Sequence, residues 1–219
     1  MDGSVKSTTT GLIRHPPCPQ PRRVETDPLI AAALDGLRAA GWRVEMEPAE
    51  ARALPPAIIG RYPGLPPLFV LFAGAVHSCV RGDEGAWLLT AADYAAPSSP
   101  DARDWDDFET MMLEPGAGWG PEEIAATRAF WDRHLTIAQG VAGDLEYLAI
   151  EIATGAVVEG MVNDFDSPLP VADDFADFLR QLARVGAAQP TRSLVYAEDL
   201  ALLIHPHIIE DGARPPGLR

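Results

Sequence analysis

Apolar residues recur at three- and four-residue steps in several stretches of the chain, and most runs carry their own boundary signals. Asp27-Pro28 reads as an N-cap with proline at the first helical position. Leu29, Ile30, Ala33, Leu34 and Leu37 follow at helical spacing, and Gly41 stands where a C-terminal cap belongs. The pattern predicts a helix over 28–40. Between Pro48 and Arg61 the chain is broken by prolines, with a helical turn expected near Glu50. Pro66-Pro67 opens a second helix, whose face Leu65, Phe69, Phe72, Val76 and Cys79 extends as far as the cysteine. Trp87-Leu88-Leu89 reads as a short strand followed by a turn at Ala92-Asp93-Tyr94.

Gly120-Pro121 starts a helix predicted over 122–134, carrying Ile124, Ala125, Phe130 and Trp131. From Leu135 the pattern changes to β-type segments at 135–138, 147–152 and 157–162. They are separated by Ala142-Gly143-Asp144 and Thr154-Gly155. Asp173-Asp174 then cap a helix with Phe175, Phe178, Leu179 and Leu182 on its face, ending near Gly186. One more helix is expected over 194–204. Short strands in series predict an antiparallel meander, and the fold class is α+β. Trp131, Phe175, Phe178 and Leu179 are expected in its core.

At 219 residues the chain accommodates one domain with extensions. Residues 1–27 hold Ser7-Thr8-Thr9-Thr10-Gly11 and Pro16-Pro17-Cys18-Pro19-Gln20-Pro21, and are expected to form a flexible arm. The domain spans 28–188, and 189–219 form an extension. Charge sharpens this division. The chain carries -15 overall, yet residues 83–177 hold 21 acids against Arg103, Arg128 and Arg133, whereas residues 1–23 carry +3. Such acidity argues against nucleic-acid phosphate contacts and against a basic membrane-surface protein, and leaves room for a basic protein partner. No apolar run approaches the ~20 residues needed to cross a bilayer, and 1–23 lack the apolar stretch of a signal peptide. Cys18 and Cys79 cannot build a disulfide framework, so the expected compartment is a reducing cytoplasm.

Candidates for chemistry are few. Cys79 with His77 or His134 has the elements of a nucleophile and base, but on an apolar helix stripe a cysteine is usually a small buried hydrophobe. His205-Pro206-His207 with Glu210 and Asp211 offers ligand types without a separated third histidine or cysteine. Gly116, Gly118 and Gly120 follow no strand and precede no Lys-Ser/Thr pair, as a phosphate loop would require. The expectation is no catalytic residue, no metal and no cofactor. The acids are different. Asp101, Asp104, Asp106, Asp107 and Glu109 surround Trp105 and Phe108 in one loop. Asp104, Asp106, Asp107 and Glu109 offer carboxylate pairs of the kind that serve as general acid and base, but such loops are usually a solvated surface, and the aromatic interleaving points to a steering face. Trp105 is either an exposed anchor or a core residue that pins the loop.

Taken in order, several segments resemble the SUKH superfamily, in its branch of cell-wall-regulator-like and bacterial immunity proteins. They are Leu54-Pro55, Arg61-Tyr62-Pro63-Gly64-Leu65-Pro66, Trp87 with Asp93-Tyr94, Trp105-Asp106-Asp107-Phe108-Glu109, and Phe130-Trp131-Asp132-Arg133-His134-Leu135. Tyr147-Leu148-Ala149-Ile150, Thr154-Gly155, Val157-Val158-Glu159-Gly160, Val171-Ala172-Asp173-Asp174-Phe175 and Phe178-Leu179 complete the series. The resemblance covers about residues 50–185. Asp174 replaces the family's usual serine, and Val162-Asn163-Asp164-Phe165 replaces a more acidic segment. The resemblance implies a curved, mostly antiparallel sheet with helices packed against it, and protein binding without catalysis, often neutralisation of a toxin. On that reading Asp101, Asp104, Trp105, Asp106, Asp107, Glu109, Asp164 and Asp166 are the candidate partner-binding residues. The implied partner is a basic, cognate toxin domain. Alternatives are a regulatory scaffold with another partner, or a hydrolase.

Overall fold

Asp27 caps the first helix as its position suggests: its carboxylate accepts the Leu29 N–H at 2.8 Å, and α1 runs Pro28–Ala39. The computed structural model describes residues 26–48, 50–95, 105–114, 119–141, 145–162, 165 and 167–185. Among them the chain continues through β1 Arg43–Met46, α2 Pro56–Arg61, α3 Pro67–Ala75, β2 Val76–Val80, β3 Ala86–Leu88 and α4 Ala91–Tyr94. It then forms α5 Asp107–Leu113, α6 Pro121–Trp131, β4 His134–Gly140, β5 Glu146–Glu151, β6 Val157–Met161, β7 Leu169–Ala172 and α7 Phe175–Val185. The seven strands lie side by side in chain order, each antiparallel to the next, in one open sheet. The fold is α+β, an antiparallel meander flanked by helices. Residues 1–25 of the expected arm, the extension and the helix at 194–204 lie outside the described residues.

Two faces of this sheet are apolar. On the first, Leu148, Ile150 and Val157 meet α1, α3 and α7 through Leu34, Phe69, Phe72, Phe175 and Phe178. On the second, Tyr147, Ala149 and Val158 meet α5 and α6 through Phe108, Met112, Phe130 and Trp131. Strand alternation alone explains the division, since odd and even residues of β5 go to opposite faces. Trp131, Phe175, Phe178 and Leu179 are all buried, as the pattern predicts.

Several elements differ from the sequence pattern, each for a physical reason. The second helix stops at Ala75 instead of reaching Cys79. Residues Val76–Val80 pair with β1, and a bulge at His77 shifts the alternation by one residue, since Glu45 faces Ser78 while Met46 faces Val76. Val76 and Cys79, three residues apart, therefore both point into the core and imitate a helical stripe. β4 carries the same device at Ile137, where Thr136 pairs with Ala149 and Ala138 with Leu148. α6 ends at Trp131, so His134 belongs to β4 opposite Glu151. The turn after β3 is the short helix α4, closed by reciprocal capping between Thr90 and Asp93. The helical turn expected near Glu50 is a bend, and the helix forms six residues later at Pro56. β1 and β7 are edge strands that the pattern does not announce. β7 contains Pro170, which an edge strand tolerates because that residue has no N–H to pair.

Candidate partner-binding face

The acidic segment is not a simple loop. Trp105 and Asp106 form a turn, and α5 begins at Asp107 because Phe108 and Met112, four residues apart, bury one face against α6 and β5. That registration divides the remaining residues of the segment into two sides.

On one side the segment is tied inward. Trp105 is half-buried and meets Tyr62 edge-on at 6.2 Å and Tyr94 at the same separation. The Arg61 guanidinium lies 5.5 Å from the Trp105 ring centre. Arg61 also donates from Nε to Asp132 Oδ1 at 3.0 Å and from Nη2 to Glu109 Oε1 at 2.9 Å. This fork joins α2 to α5 and to the end of α6. Glu109 is largely enclosed, and burial pushes its carboxyl above the ordinary glutamate value despite the opposing pull of Arg61. Of the two fates open to Trp105, its place against the main core is that of a pin. Glu109 is likewise an internal tie to Arg61.

The other side faces an open cleft. Asp107, Thr110 and Met111 of α5, with Glu114 at its C-terminal cap, lie three or four residues from one another except for the adjacent pair Thr110-Met111 and the seven-residue span from Asp107 to Glu114, and together line a cavity of about 380 Å³. Its opposite wall comes from Trp87 of β3, Gln139 of β4, and Val141 and Leu145, which flank β4 and β5. Trp87, Gln139, Tyr147 and Gly160 are paired in one row across β3 to β6, so they share the second face of the sheet. Tyr147 lies across β6 to donate its hydroxyl hydrogen to the Phe165 carbonyl at 2.9 Å. A Cβ at position 160 would overlap that hydroxyl, which accounts for glycine there. Beyond Trp87 a second cleft of about 290 Å³ is bordered by Arg43, Val80, Glu84 and Asp93.

Among the predicted site residues, the structure thus brings together Trp105, Asp106, Asp107 and Glu109, but on two sides of α5. Asp101, Asp104, Asp164 and Asp166 lie outside the described residues. Met111, Glu114, Val141 and Leu145 were not singled out by the sequence pattern. The four-residue step from Phe108 to Met112 was the signal that places Met111 and Glu114 on a shared helical edge.

The residues considered for chemistry are engaged elsewhere. Cys79 is buried in β2, where desolvation pushes its thiol up to about 12 and suppresses the thiolate. His77 Nδ1 lies 3.2 Å from Glu47. His134 donates from Nδ1 to the Phe130 carbonyl at 2.9 Å and stacks on the Phe130 ring at 4.1 Å. Among the described residues no group of three or more His, Cys, Asp or Glu side chains is placed to hold a metal ion. His205 and His207 lie outside them, as does Cys18. No helix among the described residues is long and apolar enough to cross a membrane.

His134 makes the fold sensitive to acid. Burial holds its pKa below the ordinary value, and the Phe130 carbonyl and Glu151 only partly counter that effect. The unfolded chain therefore takes up this proton more readily than the folded one. The contribution is complete above the unfolded pKa of about 6.5 and is lost as pH falls through it toward the folded value. Between pH 7.5 and pH 5, the thermal midpoint of the wild type should fall further than that of His134→Gln. Parallel midpoints would show that the ring is not held neutral.

A scan against models of known protein families finds no match to this chain, and neither does a search of curated proteins.

Proposed function

We propose that this chain is a non-enzymatic acidic protein-binding module of the SUKH type, an immunity protein that neutralises a basic cognate toxin domain in the cytoplasm. The observation that carries the reading is the exposed side of α5. Asp107 and Glu114 border a cleft whose lining is largely apolar, and the half-exposed Met111 stands between them. They belong to the stretch 83–177, which carries a net charge of -18. A surface of that kind attracts a cationic protein at long range and offers it apolar contact on arrival. Complementary charge can raise association rates to about 10⁸–10⁹ M⁻¹s⁻¹ at low salt, which suits an inhibitor that must reach a nuclease before its substrate does. The buried thiol of Cys79 and the engaged rings of His77 and His134 support a binding role over hydrolysis.

The test is capture of the native partner by the tagged full chain, followed by mass spectrometry of the washed complex. The expected result is one basic protein in stoichiometric amount, encoded beside the gene for this chain and less toxic when the chain is co-expressed. Recovery of a stoichiometric partner with no toxicity would replace immunity by a regulatory role. Turnover of any substrate that Cys79→Ala abolishes without unfolding the protein would replace binding by catalysis.

A further inference from the structure

We infer that the cleft beside α5 docks a cationic amphipathic segment of a partner protein, with one apolar side chain seated between two basic residues. This rests on the protein-binding reading above and deepens it by naming the surface and the residue pattern that fits it. The cleft lining combines the buried Trp87 and Phe108 with Met111 and Val141, which are 43% and 41% exposed. Exposed apolar residues scattered singly need no explanation, but here they line one cleft with buried rings. The volume, about 380 Å³, sits near the lower limit of small-ligand sites, roughly 300–1,000 Å³, and the cleft is open. It suits an inserted side chain better than an enclosed metabolite.

Charge decides what flanks that side chain. Asp107 opens α5 and Glu114 caps its C-terminal end seven residues later, a separation of roughly 10 Å at 1.5 Å per residue. Two carboxylates at that spacing are matched by two cations. The matching segment therefore carries two Arg or Lys residues about two helical turns apart, with an apolar residue between them facing Val141 and Leu145. Asp107 also makes a contact within the chain. A carboxylate offers about four acceptor positions, so it can take a second donor. An anionic segment is excluded by the same two carboxylates and by the net charge of the surrounding stretch.

The experiment uses the full isotope-labelled chain and three synthetic helical peptides. One places leucine between two arginines two turns apart, the second replaces that leucine with glycine at unchanged charge, and the third replaces the arginines with glutamate. The first should shift the amide resonances of 107–114, Gln139 and Val141. The glycine peptide should bind at least tenfold more weakly, and the glutamate peptide should leave the spectrum unchanged. The double variant Met111→Ser, Val141→Ser should weaken the first peptide by at least tenfold while keeping its thermal midpoint, because both side chains are half-exposed. Equal affinity for the leucine and glycine peptides, or shifts spread over other acidic surfaces, would overturn the inference. Loss of peptide binding alongside retained capture of a native basic partner overturns this inference alone. A cleft that binds the peptide in a chain that captures no protein supports the cleft and overturns the functional reading.

Discussion

Phe178→Ala is expected to lower the stability of the protein by roughly 3–5 kcal/mol, the range for truncating a buried phenylalanine. Phe178 is 1% exposed and lies 5.8 Å from Phe175, which in turn packs edge-on against Phe69 at 5.3 Å and against Phe72. Removing the ring leaves a void between α7, α3 and the sheet that backbone shifts cannot fill cheaply. Urea unfolding reads the effect as a lower midpoint at unchanged slope. Ile59→Ala, at a side chain 51% exposed, should stay within about 0.5 kcal/mol and serves as the control. A loss below about 1 kcal/mol at Phe178 would mean that α7 does not close the main core.

Gly36→Ala is the second large effect, and its sign runs against propensity. Alanine in a helix interior is ordinarily worth roughly 0.5–1 kcal/mol over glycine. At Gly36, however, a Cβ would overlap the Leu182 carbonyl oxygen and approach the Ala183 Cα at 2.9 Å. Both are backbone atoms, so no rotamer change relieves them and α1 must move away from α7. Overpacking of this kind costs about 1–3 kcal/mol, occasionally more. Net of the propensity gain, the expected loss is about 1 kcal/mol. Gly60→Ala in α2 provides the contrast, because its Cβ would enter open space and only the propensity gain remains. Stabilisation by both substitutions would show that α1 and α7 are not in backbone contact.

What was legible in the sequence depended on whether local pattern and tertiary pairing agreed. α1, the three strands after His134 and the closing helix were readable because caps, spacing and burial all point the same way. Asp27-Pro28 starts α1, and Asp174 accepts the Asp177 N–H at 2.6 Å where the closing helix begins. β2 was not readable, because a bulge gives Val76 and Cys79 the three-residue step of a helix. β1 and β7 are four-residue edge strands with too little alternation to register alone. The site was half readable. Acidic residues around Trp105 were conspicuous, but only packing decides that Glu109 turns toward Arg61 while Asp107 and Glu114 border the cleft. The wall supplied by Trp87 of β3 and by Val141 and Leu145, which flank β4 and β5, is distant in sequence from α5, and no linear pattern brings them together.

Association kinetics with the captured partner, measured by stopped flow at two ionic strengths, test the central claim most directly. The comparison is between the wild type and the triple variant Asp106→Asn, Asp107→Asn, Glu114→Gln, with Glu109 left intact because it holds Arg61. At low salt the wild type should associate at least tenfold faster than the variant. The advantage should shrink at high salt, and dissociation should change less than association, since rim charges act mainly on encounter. Equal association rates at low salt would contradict an acidic face that recognises a basic protein.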